Sequence, residues 1–366
     1  MKKRGVVIFG VVCCISAALV YAWRGTRKIV EGAAAEVRMI GTAMTITPPL
    51  GLPPVPVPKD NPSTAEKVAL GRVLFYDKRL SSNNSVSCST CHNPVLGFTD
   101  GAMHSTGVGG KTGKRNAISV LNAAFDPVQF WDGRAPSLET QLGIPMEDPE
   151  EMNQPHAITV AKLEKDPAMK AQFDTAFGPG PITIGKIEKA IASFERMLIS
   201  GNSAFDRYEF GGDKTALSPA AIRGLAIFRD PNKGNCAACH TIGSHYALFT
   251  DGKFHNTGEG VDAEGNLTDL GRYTETKIDA DKGAFKTPSL RNVAESAPYM
   301  HDGKLKTLSD VVDFYAGGGN SNPYLDKKMK PLPLTARDRA DLVEFLKSLS
   351  GQPPANAGPP QLQATK

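Results

Sequence analysis

The sequence predicts a mostly α-helical protein built from two copies of one folding unit and tied together by long, ordered loops. Helix signals recur along the body. Ser63 is expected to cap a helix over Thr64–Phe75. Ile184, Ile187, Ile191, Phe194 and Leu198 share one face of Ile184–Ile199. Ser218 with Pro219 opens Pro219–Phe228. Thr307-Leu308-Ser309-Asp310 is a capping box for a helix stopped by Gly317-Gly318-Gly319. Thr335-Ala336-Arg337-Asp338 is another, for a helix ending before Gly351. Sustained strand-like alternation is absent. The second observation is a repeat. Gly71-Arg72-Val73-Leu74-Phe75-Tyr76-Asp77 and Gly224-Leu225-Ala226-Ile227-Phe228-Arg229-Asp230 share the pattern G-x-x-[Leu/Ile]-Phe-x-Asp at the end of a helical stretch. The third is loop length: loops this long and rich in Gly and Pro need something to wrap around.

A chain of 366 residues suits two or three compact units. Of the net charge of +4, three positives are Lys2, Lys3 and Arg4, so the body is close to neutral. That excludes the clustered basic face of a nucleic-acid binder. The basic start runs into an uncharged stretch, Gly5–Trp23, which reads as an export signal or membrane anchor and places the body in the periplasm. Val20-Tyr21-Ala22 offers a cleavage site, and Cys13 and Cys14 are apolar filler. Residues 24–62 form a linker, proline-rich at 45–58, expected to be an extended spacer. Residues 63–212 and 213–351 are the two expected domains, and 352–366 a disordered tail.

Each copy of the repeat leads through a polar loop to a C-x-x-C-H motif: Cys88-Ser89-Thr90-Cys91-His92 and Cys236-Ala237-Ala238-Cys239-His240. Two thiols three residues apart reach the two vinyl groups on one edge of a haem, and the adjacent His is delivered to the iron. A redox dithiol or half of a zinc site is the rival reading. With seven His in the chain, a His follows a given residue by chance about 2% of the time, and two such hits come to about four in ten thousand. Export adds support, because c-type haem is attached outside the cytoplasm. The two units are therefore expected to be cytochrome c-like haem domains holding two covalent haems c, with His92 and His240 on the irons.

With both sites placed, the chain resembles the bacterial di-haem cytochrome c peroxidase family and its MauG-like branch, from Pro62 to Gly351. The resemblance also rests on Lys114-Arg115-Asn116, Phe130-Trp131-Asp132-Gly133-Arg134-Ala135, the segment Gln141 through Met152, Phe254-His255-Asn256, Thr287-Pro288-Ser289-Leu290-Arg291-Asn292 and Ala297-Pro298-Tyr299-Met300-His301-Asp302-Gly303. It implies a periplasmic peroxidase that reduces hydrogen peroxide at the haem of His92 with electrons from a c-type cytochrome or similar donor. Such an enzyme needs an acid–base group beside an open iron position. The resemblance assigns that role to Glu151, with Gln141 beside it, although the bare sequence reads Glu151 as one more surface acid. It makes Trp131 an electron relay between the haems; tryptophan is otherwise a large core residue. It also implies a calcium ion held by Asn116, Ser296 and Pro298, all oxygen donors. His255 and His301 read equally well as satisfied buried histidines.

Two positions depart from the peroxidases that need reductive activation. Val108 stands where those enzymes carry a His that caps the peroxidatic iron, and His104 lies close by at another register. Counting without gaps from Pro298, the place of the usual Met ligand of the second haem falls on Tyr315, with Met300 the conventional alternative. A phenolate is a harder ligand than a thioether and lowers the reduction potential. The MauG-like branch uses Tyr there, which raises an alternative: peroxide-dependent oxidation of residues in a partner protein. A non-catalytic electron carrier is the reading from another class, and an open iron with Glu151 beside it argues against it.

Overall fold

The computed structural model describes residues 39–352 and 354–360. The export segment 1–23, with Cys13 and Cys14, lies outside the described residues. The body is mostly helical, as expected. Its only named sheet among those residues is a two-stranded antiparallel one, Phe254–His255 against Phe285–Lys286. No described helix is long and apolar enough to cross a membrane.

The buried apolar residues form two clusters. The first is built around the helices Ala65–Phe75, Leu138–Glu147, Pro167–Phe177 and Ile184–Glu195. The second is built around Pro219–Arg229, Leu308–Gly317 and Ala336–Lys347, with Phe205, Phe228, Phe249 and Phe345 edge-on at its centre. The repeated heptapeptide explains how each cluster closes. A side chain on Gly71 would run into the Ala190 carbonyl of the facing helix, and one on Gly224 into the Asp341 carbonyl. Each Gly thus marks a close helix crossing. Phe75 and Phe228 follow as buried core residues. Asp77 and Asp230 then accept backbone N–H groups two residues on, from Arg79 and Asn232, and turn the chain into its haem loop.

The structure corrects several local expectations. The first helix is capped by Thr64, whose side chain accepts from Lys67 N at 3.3 Å, while the Ser63 hydroxyl is buried without a partner. The helix Ile184–Glu195 stops short of Ile199, because Met197 and Leu198 bond back three residues in a tighter turn. The proline-rich run 45–58 is extended, but it lies on the body as a strap. Its Gly51 carbonyl accepts from Arg291 at 2.6 Å and from Ala247 N at 3.1 Å, and Leu52 is buried. Arg291 is itself a fully buried partner of Asp206, so the strap satisfies a donor that has no other outlet. Residues 354–360, expected to be disordered, dock on the first helix. Tyr76 Oη donates to the Ala357 carbonyl and Arg72 Nε to the Gly358 carbonyl, at 2.5 and 2.7 Å.

Candidate active site

Both C-x-x-C-H motifs are folded as a single helical turn, with the His92 and His240 N–H groups donating to the Cys88 and Cys236 carbonyls. His92 Nδ1 donates to the Phe98 carbonyl at 3.2 Å and His240 Nδ1 to the Phe249 carbonyl at 2.8 Å. A carbonyl can only accept, so the proton sits on Nδ1 and Nε2 keeps its lone pair for a metal. Burial pulls both histidines below their ordinary value, which also favours the neutral, ligating form. Phe98 and Phe249 both sit at positive φ, 58° and 53°, an unusual backbone held twice at the same function. None of the four cysteines is in a disulfide. Burial pushes the Cys88, Cys91 and Cys236 thiols up.

Beside His240 lies a mostly apolar cavity of about 240 Å³. Cys236 and Cys239 stand on its wall with His240, and so do Met300, Val311 and Tyr315. Trp131, Asn116, Ser296 and Pro298 line the same cavity. Trp131 reaches it from the first half of the chain: its Nε1 donates to the Asn116 carbonyl at 3.0 Å, and its own carbonyl accepts from Lys286 N at 2.7 Å. His301 is stacked on Phe285 with ring centroids 3.6 Å apart, and burial holds it neutral, near 4. Asn116 turns its Nδ2 to the Ala102 and Met103 carbonyls, leaving Oδ1 as the free donor atom a calcium ion would need. His255 is an ion-paired residue, clamped between Asp251 and Asp326.

A second, longer repeat becomes visible in the backbone. Residues 116–147 and 286–317 run in parallel without a gap. Asn122 and Asn292 are both left-handed and each opens a short 3₁₀ turn. The bridges Gln129–Ala135 and Tyr299–Leu305 correspond. Phe130 and Met300 share positive φ, at 68° and 71°. Ser137 and Thr307 then form equivalent capping boxes. Trp131 thus matches His301, Gln141 matches Val311, and Pro145 matches Tyr315. Val311 and Tyr315 are one helical turn apart and share the cavity of His240. Gln141 and Pro145 bear the same relation on the helix 138–147. Sequence reading missed this repeat because few residues are identical. The signals present were Ser119/Ser289, Asn122/Asn292 and the Asp-Gly pairs at 132–133 and 302–303.

At the first site, Glu151 is half-buried and close enough for its charge to act on both Cys88 and Cys91. Burial pushes its carboxyl up to about 7, Asp148 and Glu150 push the same way, and Arg134 opposes them. The loop of Val108 holds this segment. Val108 is buried, its N–H donates to the Glu151 carbonyl at 2.8 Å, and a side chain on Gly107 would strike the carbonyls of Glu150 and Glu151. His104 Nε2 is buried without a partner. Gln141 is half-buried on the helix that leads to this segment.

Two equivalent buried histidines with cysteine pairs, one pair near the Glu151 carboxyl and the other sharing its cavity with Tyr315, define a two-haem c-type cytochrome with unlike surroundings at its two motifs. Residues 65–215 match the family described as di-haem cytochrome c peroxidase, and residues 221–350 match cytochrome c. The chain is 44% identical over 302 residues to the methylamine utilization protein MauG of Methylorubrum extorquens, covering 82% of this chain and 83% of that one. It is 38% identical over 344 residues to the cytochrome-c peroxidase IdrP1 of Denitromonas iodatirespirans, covering 86% and 90%. A solved MauG-like protein associated with microbial copper homeostasis superposes with a TM-score of 0.77 at 34% identity, over 85% of this chain and 96% of that one. The chain belongs to the di-haem cytochrome c peroxidase family, which includes MauG, and is a peroxidase-type oxidoreductase with two haems c.

Proposed function

We propose that this protein reduces hydrogen peroxide in the periplasm, at the haem held by His92, with Gln141 and Glu151 managing the protons. Bound haem supplies the electrons and the coordination position at which the O–O bond is cleaved. Glu151 accepts the proton of the inner peroxide oxygen and returns it to the outer one, which leaves as water. A carboxyl near 7 exchanges a proton readily in both directions at neutral pH, and Gln141 orients the peroxide. Overall, one peroxide, two electrons and two protons give two waters. The 63–212 half carries this chemistry. The 213–351 half holds the second haem, where electrons arrive from a c-type cytochrome or another periplasmic donor and pass by way of Trp131. Asn116, with the carbonyls of Ser296 and Pro298, would hold a calcium ion beside that relay.

The observation that carries this reading is the exchange at equivalent helix positions. Pro145 has no ligating atom, so the helix 138–147 would offer no ligand to the first iron at that position. Tyr315, at the same place in the repeat, would offer a phenol to the second iron, with Met300 the rival ligand on the same cavity wall. Buried Val108 cannot cap the first iron, so the fully oxidised protein is expected to react with peroxide without prior reduction. Spectra of both resting haems, with and without peroxide, test the reading. A first haem that is inert until given one electron would show that another group, such as His104, closes it.

Tyr315 also favours the MauG-like alternative, oxidation of residues in a partner protein. Tyr315→Phe is expected to leave the second iron five-coordinate or bound by Met300 while peroxide still binds the first haem. A methionine–histidine spectrum in the unmodified protein would remove the main support for a protein substrate.

A further inference from the structure

The surfaces beside the two sites carry opposite charge. Next to the first, the turn into Glu151 presents Glu147, Asp148 and Glu150, two of them exposed and one half-exposed. Next to the second, the segment 326–332 forms part of the wall of the His240 cavity through Asp326, Lys328, Met329, Lys330 and Leu332. Lys327, Lys328 and Lys330 of this segment are exposed. Lys328 Nζ lies 3.1 Å from the Ala238 carbonyl and 3.8 Å from Cys239 Sγ, against the edge where the haem is attached. Of the lysines elsewhere on this half, Lys233 pairs with Asp338, Lys282 with Asp279 and Lys304 with Asp302, while Lys253, Lys277 and Lys306 stand apart from one another along the chain. Among the described residues Lys327, Lys328 and Lys330 have no carboxylate partner. Asp326, the one acid in the run, turns inward to His255.

We propose that Lys327, Lys328 and Lys330 form the docking site of a small acidic electron-donor protein, which passes electrons to the second haem at its Cys239 edge. The proposal rests on the reading of that haem as the one where electrons arrive. Each transfer oxidises the donor by one electron and reduces the haem iron by one, with no bond made or broken. The charge asymmetry gives the arrangement its direction. Hydrogen peroxide is neutral and indifferent to the acidic rim of the first site. An acidic protein is repelled there and steered to the lysines, so it does not obstruct the peroxide site.

The test uses one donor in two charge states: reduced basic cytochrome c and the same protein made acidic by succinylation of its lysines. Stopped-flow reduction of the second haem of the holoenzyme, without peroxide, is followed at low ionic strength. The acidic form is expected to react about tenfold or more faster than the basic form, with the advantage lost at high salt. In the double variant Lys327→Glu, Lys330→Glu the ratio of the two rates is expected to fall to one or below. The ratio is internally controlled, since a general disturbance of the haem slows both donors alike. Faster reduction by the basic form, or a ratio untouched by the substitutions, overturns the proposal. Peroxide consumption with a small-molecule reductant reports separately on the peroxidase reading, so the two failures are distinguishable.

Discussion

The helices 138–147 and 308–317 start from equivalent capping boxes, yet Gln141 and Pro145 of one stand where the other has Val311 and Tyr315. The first pair is an amide and a side chain with no ligating atom, the second an apolar side chain and a phenol on the wall of the His240 cavity. On the proposed reading, one scaffold would serve a reactive haem and a ligated one through two substitutions a helical turn apart. Buried carboxyls are handled in two ways. In the first half, Glu195 is buried with Oε2 unpartnered, and burial pushes its carboxyl up to about 8. Against the second core, the buried carboxylate Asp206 is held on both oxygens by Arg291 at 2.9 Å. Poised carboxyls occur in both halves, since burial also pushes Glu259 up to about 7, whereas Asp206 is locked by its partner.

The largest effect that tests this contrast is at Glu151. Glu151→Gln is expected to slow the peroxide reaction of the first haem by about two to four orders of magnitude. In the unmodified protein the carboxyl holds its own proton below about pH 7 and cannot take one from peroxide. The rate should therefore fall as pH drops through that value, and the variant should lack the inflection. Stopped-flow spectra over pH 5–9 check both; an unchanged rate in the variant would move the catalytic role elsewhere.

Next comes the locked pair. Arg291→Met leaves Asp206 buried without its partner and also releases the strap at Gly51. The expected cost is about 3–5 kcal/mol in unfolding free energy. Denaturant titration of the holoprotein reads it, and a loss under 1 kcal/mol would mean that water replaces the guanidinium.

The two helix crossings should respond alike. Gly71→Ala and Gly224→Ala each push a methyl into a facing carbonyl. Each is expected to cost about 1–3 kcal/mol. A large effect at one and none at the other would show that the repeat does not close both halves the same way.

The effect spread most thinly, over several pH units, is the slope from Glu195. Its folded value is about 8 against an ordinary 4.5, so between those values the folded protein holds a proton that the unfolded chain has lost. Stability then falls as pH rises through that window, by up to about 1.4 kcal/mol per pH unit, and levels off above it. Glu195→Gln should flatten the slope, read from unfolding midpoints at pH 5 to 9.

The sequence by itself determined what lies within a few residues. The two haem attachment sites follow from cysteine spacing, because thioether bonds and an adjacent histidine need only one turn of chain. Helix starts such as Ser218, Thr307 and Thr335 follow from a side chain bonding a backbone N–H three residues on. Resemblance then pointed to Glu151, Trp131 and Tyr315 without their surroundings. Tertiary structure decided what depends on segments far apart. It pulled the proline-rich strap onto Arg291, because a buried guanidinium needs acceptors that local sequence does not supply. It aligned 116–147 with 286–317, a likeness carried by backbone conformation while the side chains diverged for two haem environments. It set Lys328 against Cys239, some ninety residues away along the chain. It also buried Glu151 enough to bring its carboxyl near neutrality, a property of desolvation by packed neighbours that no local pattern encodes.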